Sequence, residues 1–92
     1  HCPEDLKRLQ KAKAENRVVS LGSYQKNKLS ARHYIFCVFP TKLAAIVQIQ
    51  GRSWQLGLPF GSAKHPDCRG LMPEELELID FGRLDLTPLQ EE

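Results

Sequence analysis

Three cysteines, Cys2, Cys37 and Cys68, constrain this chain most, because 92 residues with 41% hydrophobic content leave little else to hold a fold together. A domain of that size buries only about two thirds of the surface its unfolded chain exposes. Its core is thin, and a crosslink then decides much of its stability. An odd cysteine count leaves one thiol free or paired outside these residues. The expectation is one small domain over residues 1–92, either a processed protein or a piece of a larger one, and cysteine usage alone does not fix its compartment.

Cys68 lies in GSAKHPDCRG, residues 61–70, and three chemistries compete for it. A nucleophile needs a base within reach and a group to orient that base. His65 is too close in a proline-containing loop to assume a productive pair, His33 is distant in sequence, and no nucleophile signature surrounds Cys68. Zinc is the sharper rival. Cys2, Cys37, His65 and Cys68 make a Cys₃His set with one permissible HxxC spacing, yet Cys2 and Cys37 stand alone where structural sites usually show two close pairs. The third chemistry is a Cys37–Cys68 disulfide. It would tie the end of a hairpin to a long irregular loop and remove roughly 3.5–4 kcal/mol of chain entropy from the unfolded state, comparable with the whole margin of a small domain.

The rest of the pattern reads as α+β: a small antiparallel sheet, one β-hairpin, packed by two or three short helices. PEDLKRLQKAKAE opens with proline and acidic residues, as helix starts do, and predicts a helix over about 3–15 with Leu6, Leu9, Lys13 and Ala14 along one stripe. NRVVSLGSYQ and ARHYIFCVF, separated by the polar KNKLS, predict the hairpin, with Gly22 marking a bulge. Tyr34, Phe36 and Val38 fall on one face and Ile35, Cys37 and Phe39 on the other, so both faces are expected to be covered. PTKLAAIVQIQG predicts a central helix capped near Thr41 and stopped at Gly51. Trp54, Leu56, Leu58 and Phe60 are expected to plug the core against Leu43, Ile46 and Val47. Pro73 opens a short third helix whose inner face carries Leu76 and Ile79.

Net charge is +2 but uneven: residues 1–42 hold nine Lys/Arg against three Asp/Glu, and residues 43–92 four against eight. Lys7, Arg8, Lys11, Lys13, Arg17, Lys26, Lys28 and Arg32 form the set a nucleic-acid-binding accessory protein would use. No aromatic residue interleaves Lys7, Arg8, Lys11 and Lys13 to stack on bases, which favours a solvated face. No carboxylate pair, GxGxxG or P-loop spacing is present, and no apolar run approaches the roughly 20 residues of a membrane span.

TKLAAIVQIQGR followed by QLGLPFGSAKHPDCRGLMPEELELIDFGRLDL closely resembles the C-terminal region of TraN-type mating-pair stabilisation proteins of conjugative type IV secretion systems. HCPEDLKRLQKAKAENRVVSLGSYQ extends the resemblance upstream more weakly. It implies export, residence in the periplasm or at the outer membrane or cell surface of a Gram-negative bacterium, and contact with the recipient cell during plasmid transfer. It also implies a Cys37–Cys68 disulfide, with Cys2 matching a third family cysteine that pairs outside the chain. Two further family cysteines are absent, Gln25 and the KNKLSAR turn standing in their place. The function expected is a non-enzymatic scaffold or base within such an adhesin, without catalytic residues, cofactor, metal or small-molecule substrate. Its partners would be proteins of the donor outer membrane or recipient surface, and membrane association would come only through the parent assembly. The alternative is the basic DNA-transfer accessory protein.

Overall fold

The computed structural model describes residues 3–90. Helix α1 (Pro3–Ala14) leads into a hairpin of β1 (Val18–Tyr24) and β2 (His33–Val38). Helix α2 (Lys42–Ile46) runs directly into a π-helix (Val47–Gln55), and after a long loop come α3 (Pro73–Leu78) and two 3₁₀ turns, Phe81–Arg83 and Thr87–Gln90. The molecule is drawn out: its radius of gyration is 14.9 Å, against about 12 Å for a compact chain of this length. An α+β fold with one two-stranded antiparallel sheet is what the hydrophobic pattern predicts.

The strands pair Val18 with Val38 and Val19 with Cys37, then slip by one residue between Ser20 and Gly22, so that Gly22 faces Ile35. Leu21 is the extra residue of this bulge. Gly22 takes a φ of +96° there, which a side chain would make costly. Beyond the last strand pair the Phe39 amide donates to the Arg17 carbonyl at 2.8 Å, and the Arg17 guanidinium donates back to the Phe39 carbonyl. Pro40 then ends the pairing, having no N–H.

One sheet face builds the core. Cys37, Phe39, Ala45 and Phe60 are buried together, with Val19, Leu21, Ala44 and Ile49 packed around them; the Phe39 and Phe60 rings lie 5.9 Å apart. The other face is only partly covered, contrary to the expectation for both. The Lys13 ammonium caps the Phe36 ring at 4.5 Å, while Tyr34 and Val38 remain exposed. Among the described side chains of α1, Ala12 is buried, and Leu6 and Ala14 are exposed.

Two expectations for the central helix fail, for related reasons. The Thr41 hydroxyl accepts the Ala44 amide at 3.0 Å as the cap, but Gly51 does not end the helix. A Cβ on Gly51 would sit 2.7 Å from Ile79 Cδ1, so this glycine admits the buried Ile79 and the helix continues. The stop is Gly57, with φ +68°, whose amide donates to the Ser53 carbonyl. Leu43 and Trp54, predicted in the core, are 50% and 71% exposed. Two phenylalanines fill the interior, and the helix meets them through Ala44, Ala45 and Ile49, while Trp54 turns outward. Leu56, Leu58 and Val47 are half-buried. Ile79 is buried as predicted, but in extended backbone just after α3 and not on its inner face, and Leu76 on the helix is exposed.

Candidate functional site: a disulfide and a buried arginine hold one loop

The loop between the π-helix and α3 has almost no regular structure, so its backbone polar groups need partners from elsewhere. Its first part folds on itself. Ser62 and His65 exchange backbone hydrogen bonds at 3.1 Å, and the Asp67 amide donates to the Phe60 carbonyl at 2.7 Å. Gly61 makes this possible with φ +86°; a Cβ there would lie 2.2 Å from the His65 carbonyl oxygen.

Its second part is gathered by Arg52. This side chain is wholly buried and reaches out of the π-helix to three loop carbonyls: Arg69 at 2.9 Å, Pro59 at 2.9 Å and Asp67 at 3.0 Å. The Asp67 carboxylate stands 3.3 Å from the same guanidinium, and Gln48, one turn earlier, accepts from it at 3.2 Å. The guanidinium carbon lies 4.6 Å from the Phe60 ring centroid, and the Nε–H alone has no hydrogen-bond partner. Carbonyl dipoles and one carboxylate thus compensate the buried charge and leave one donor unpaired. Arginine suits the role because its planar fork presents five donors at once.

The covalent tie closes the same loop. Cys68 is bonded to Cys37, S–S 1.97 Å, with Cα atoms 5.4 Å apart. Cys37 is fully buried beside Phe39 and Phe60, so the bond fastens the loop to the sheet's core face while Arg52 fastens it to the helix.

Beyond Cys68, Arg69 forms a two-bond fork with Glu75, at 2.9 and 2.8 Å, and Glu75 also accepts the Met72 amide at 2.9 Å, capping α3. The Arg69 guanidinium, with the Met72 amide second, holds the Glu75 carboxyl down to about 2. Two glutamines dock the tail. Gln50 exchanges two hydrogen bonds with the Asp85 backbone, at 3.0 and 2.6 Å, and Gln55 does the same with Asp80, at 3.0 and 2.7 Å. At about 100° per residue an α-helix would set positions five apart well round the axis; the i→i+5 winding of a π-helix stacks them on one side. Trp54 stands beside this docked tail, on an open groove of about 570 Å³ that Leu56, Leu78 and Arg83 also line.

The other predicted residues separate. His65 is exposed and contributes its backbone to the loop. His33 stacks on Tyr24 at 5.1 Å, four strand residues or about 13 Å from Cys37. Cys2 lies outside the described residues. The basic set is partly engaged: Arg17 bonds Glu15 at 2.7 Å, which lowers the Glu15 carboxyl, Arg32 bonds Ser23 and Gln25, and Lys13 covers Phe36. Among the described residues no three His, Cys, Asp or Glu side chains converge as metal ligands do, and no helix is long and apolar enough to cross a membrane.

Residues 1–72 match the family model described as F-type Type IV secretion system, TraN. The chain belongs to the TraN family. A TraN protein of Escherichia coli (strain K12), the "Mating pair stabilization protein TraN", is 46% identical over 95 residues, covering 99% of this chain. The chain spans 16% of that relative's length. No solved structure matches. The TraN segment thus contains the hairpin, the π-helix and the disulfide-bonded loop. Sequence reasoning missed Arg52, although it ends the quoted TKLAAIVQIQGR. The one available signal was an arginine placed just ahead of a glycine- and proline-rich loop whose carbonyls had no evident donors.

Proposed function

We propose that this chain is a non-enzymatic, extracytoplasmic scaffold module of a mating-pair stabilisation protein, and that it supports recipient-cell contact without choosing the recipient. The observation that carries this reading is the loop of residues 59–69 in a TraN-family chain, held at once by the Cys37–Cys68 bond and by Arg52. Such construction favours rigidity over adaptability, and disulfides persist in oxidising compartments outside the cytoplasm. Residues 1–92 act as one unit in this reading, Cys2 pairs with a cysteine outside them, and the partners are proteins of the donor outer membrane or the recipient surface.

The experiment replaces Cys37 and Cys68 by serine in the parent protein and measures transfer into several recipients. Loss of the staple should lower export yield and reduce mating for all recipients alike. Exchanging residues 1–92 between two such proteins of different recipient preference should leave each preference with the remainder of its parent. Preference travelling with residues 1–92 would make this module the reader and overturn the scaffold assignment.

A further inference from the structure

The tip of the hairpin, residues 25–32, presents an apolar side chain inside a cluster of cations. Leu29 is 99% exposed, more than any other large hydrophobic residue among those described. It is held there by a closed turn. The Leu29 amide donates to the Asn27 side chain at 2.8 Å, the Ser30 hydroxyl donates to the Asn27 carbonyl at 3.0 Å and accepts the Asn27 amide at 3.1 Å, and Gln25 donates across to the Ser30 carbonyl at 2.8 Å. An isolated exposed leucine is ordinary; one held at the apex of an ordered hairpin whose turn also carries exposed Lys26, Lys28 and Arg32 is a different arrangement.

The charge is equally one-sided. From Asn16 to Pro66 the chain contains no Asp or Glu, so no carboxylate of the hairpin neutralises these cations. No ion pair or side-chain hydrogen bond engages Lys26 or Lys28 among the described residues. Arg32 is steadied by Ser23 at 3.0 Å and Gln25 at 3.2 Å while remaining exposed.

We propose that the hairpin tip docks on the surface of an anionic phospholipid bilayer, Leu29 entering the boundary between headgroups and acyl chains while Lys26, Lys28 and Arg32 meet lipid phosphates. This departs from membrane association through the parent assembly alone. An apolar anchor with exposed cations one and three residues away in the same turn matches such a surface in both of its layers. A nucleic-acid backbone would satisfy the cations but leave Leu29 in water; the strand pair next to the turn, Tyr24 and His33, is stacked on itself, and exposed Tyr34 lies one residue further along β2. The contact is weak and reversible by construction, since one leucine and three cations cannot anchor irreversibly.

Co-sedimentation of the chain with vesicles of roughly one part phosphatidylglycerol to two of phosphatidylcholine tests it. Binding should appear with these vesicles at low salt, weaken with added salt, and be absent with phosphatidylcholine alone. Leu29→Ser should lower partitioning about tenfold or more, and Lys28→Ala about fivefold; all these positions are exposed, so circular dichroism should be unchanged. Lys64→Ala, in the loop at the far end of β2, should change it by less than about twofold. Each of four results would overturn the proposal: no vesicle binding at low salt, Leu29→Ser binding like the parent, Lys64→Ala costing as much as Lys28→Ala, or duplex DNA bound more tightly than the anionic vesicles. None of these readings depends on mating, so they stand or fall separately from the scaffold role.

Discussion

The hairpin tip and the disulfide loop are both irregular, both cation-bearing and both closed by polar side chains, yet they are closed in opposite ways. At the tip every closing bond spans nine residues or fewer and is exposed to water. In residues 59–69 local backbone bonds shape the turn, but the groups that fasten it come from the π-helix and from the core face of the sheet, through a buried guanidinium and a buried sulfur. Local, solvated closure shapes a turn but adds little to global stability, because water replaces each bond when it breaks. Long-range buried closure ties loop order to the fold as a whole. A thin core makes the second kind count for more.

The largest effect should follow from breaking the covalent tie. Cys37→Ser with Cys68→Ser should cost about 4 kcal/mol in urea unfolding, as expected for a crosslink over 31 residues. A loss below about 1 kcal/mol would mean that the loop does not depend on the bond. Next comes Arg52→Met, which strands three carbonyls and the Asp67 carboxylate and should cost about 3 kcal/mol. The two changes act on one loop, so their combined cost should fall short of the sum, and simple additivity would show that bond and arginine support different parts of the structure.

How much of this is visible in the sequence depends on how far each interaction reaches. The first helix, the bulged hairpin, the Thr41 cap and the Pro73 helix start are local signals, and the structure follows them. Chain entropy and the family resemblance favour the cysteine pairing, while spacing alone leaves zinc open. Arg52 was not legible: a cation after a helix reads as solvated, and its burial depends on carbonyls 7, 15 and 17 residues further on. Gly51 read as a stop because nothing local announces that Ile79 packs against it. Trp54 read as core through size alone, although tryptophan is seldom fully buried.

Smaller effects sharpen the same contrast. Gly51→Ala should cost about 1–3 kcal/mol, because the new methyl collides with Ile79; an unchanged unfolding midpoint would mean that the tail moves aside freely. The Arg69–Glu75 fork is polar and accessible, so its signature is in titration. The Glu75 carboxyl should titrate near 2 by NMR and return toward the ordinary carboxylate value in Arg69→Ala. Because the folded state depresses this group, its stabilising contribution is complete above the ordinary glutamate range and disappears as pH falls through about 2. A wild-type midpoint near the ordinary value would remove the fork. The smallest effect belongs to the tip, where Leu29→Ser should change stability by no more than about 0.5 kcal/mol. A larger loss would place Leu29 in a contact that the exposed turn does not show.

Most direct for the account as a whole is a non-reducing peptide map of the chain recovered from the periplasm of a donor cell. A stapled, exported TraN module predicts one peptide pair joined through Cys37 and Cys68, released only on reduction. Recovery of both cysteines alkylated without reduction would contradict the staple, and with it the rigid loop on which the scaffold role rests.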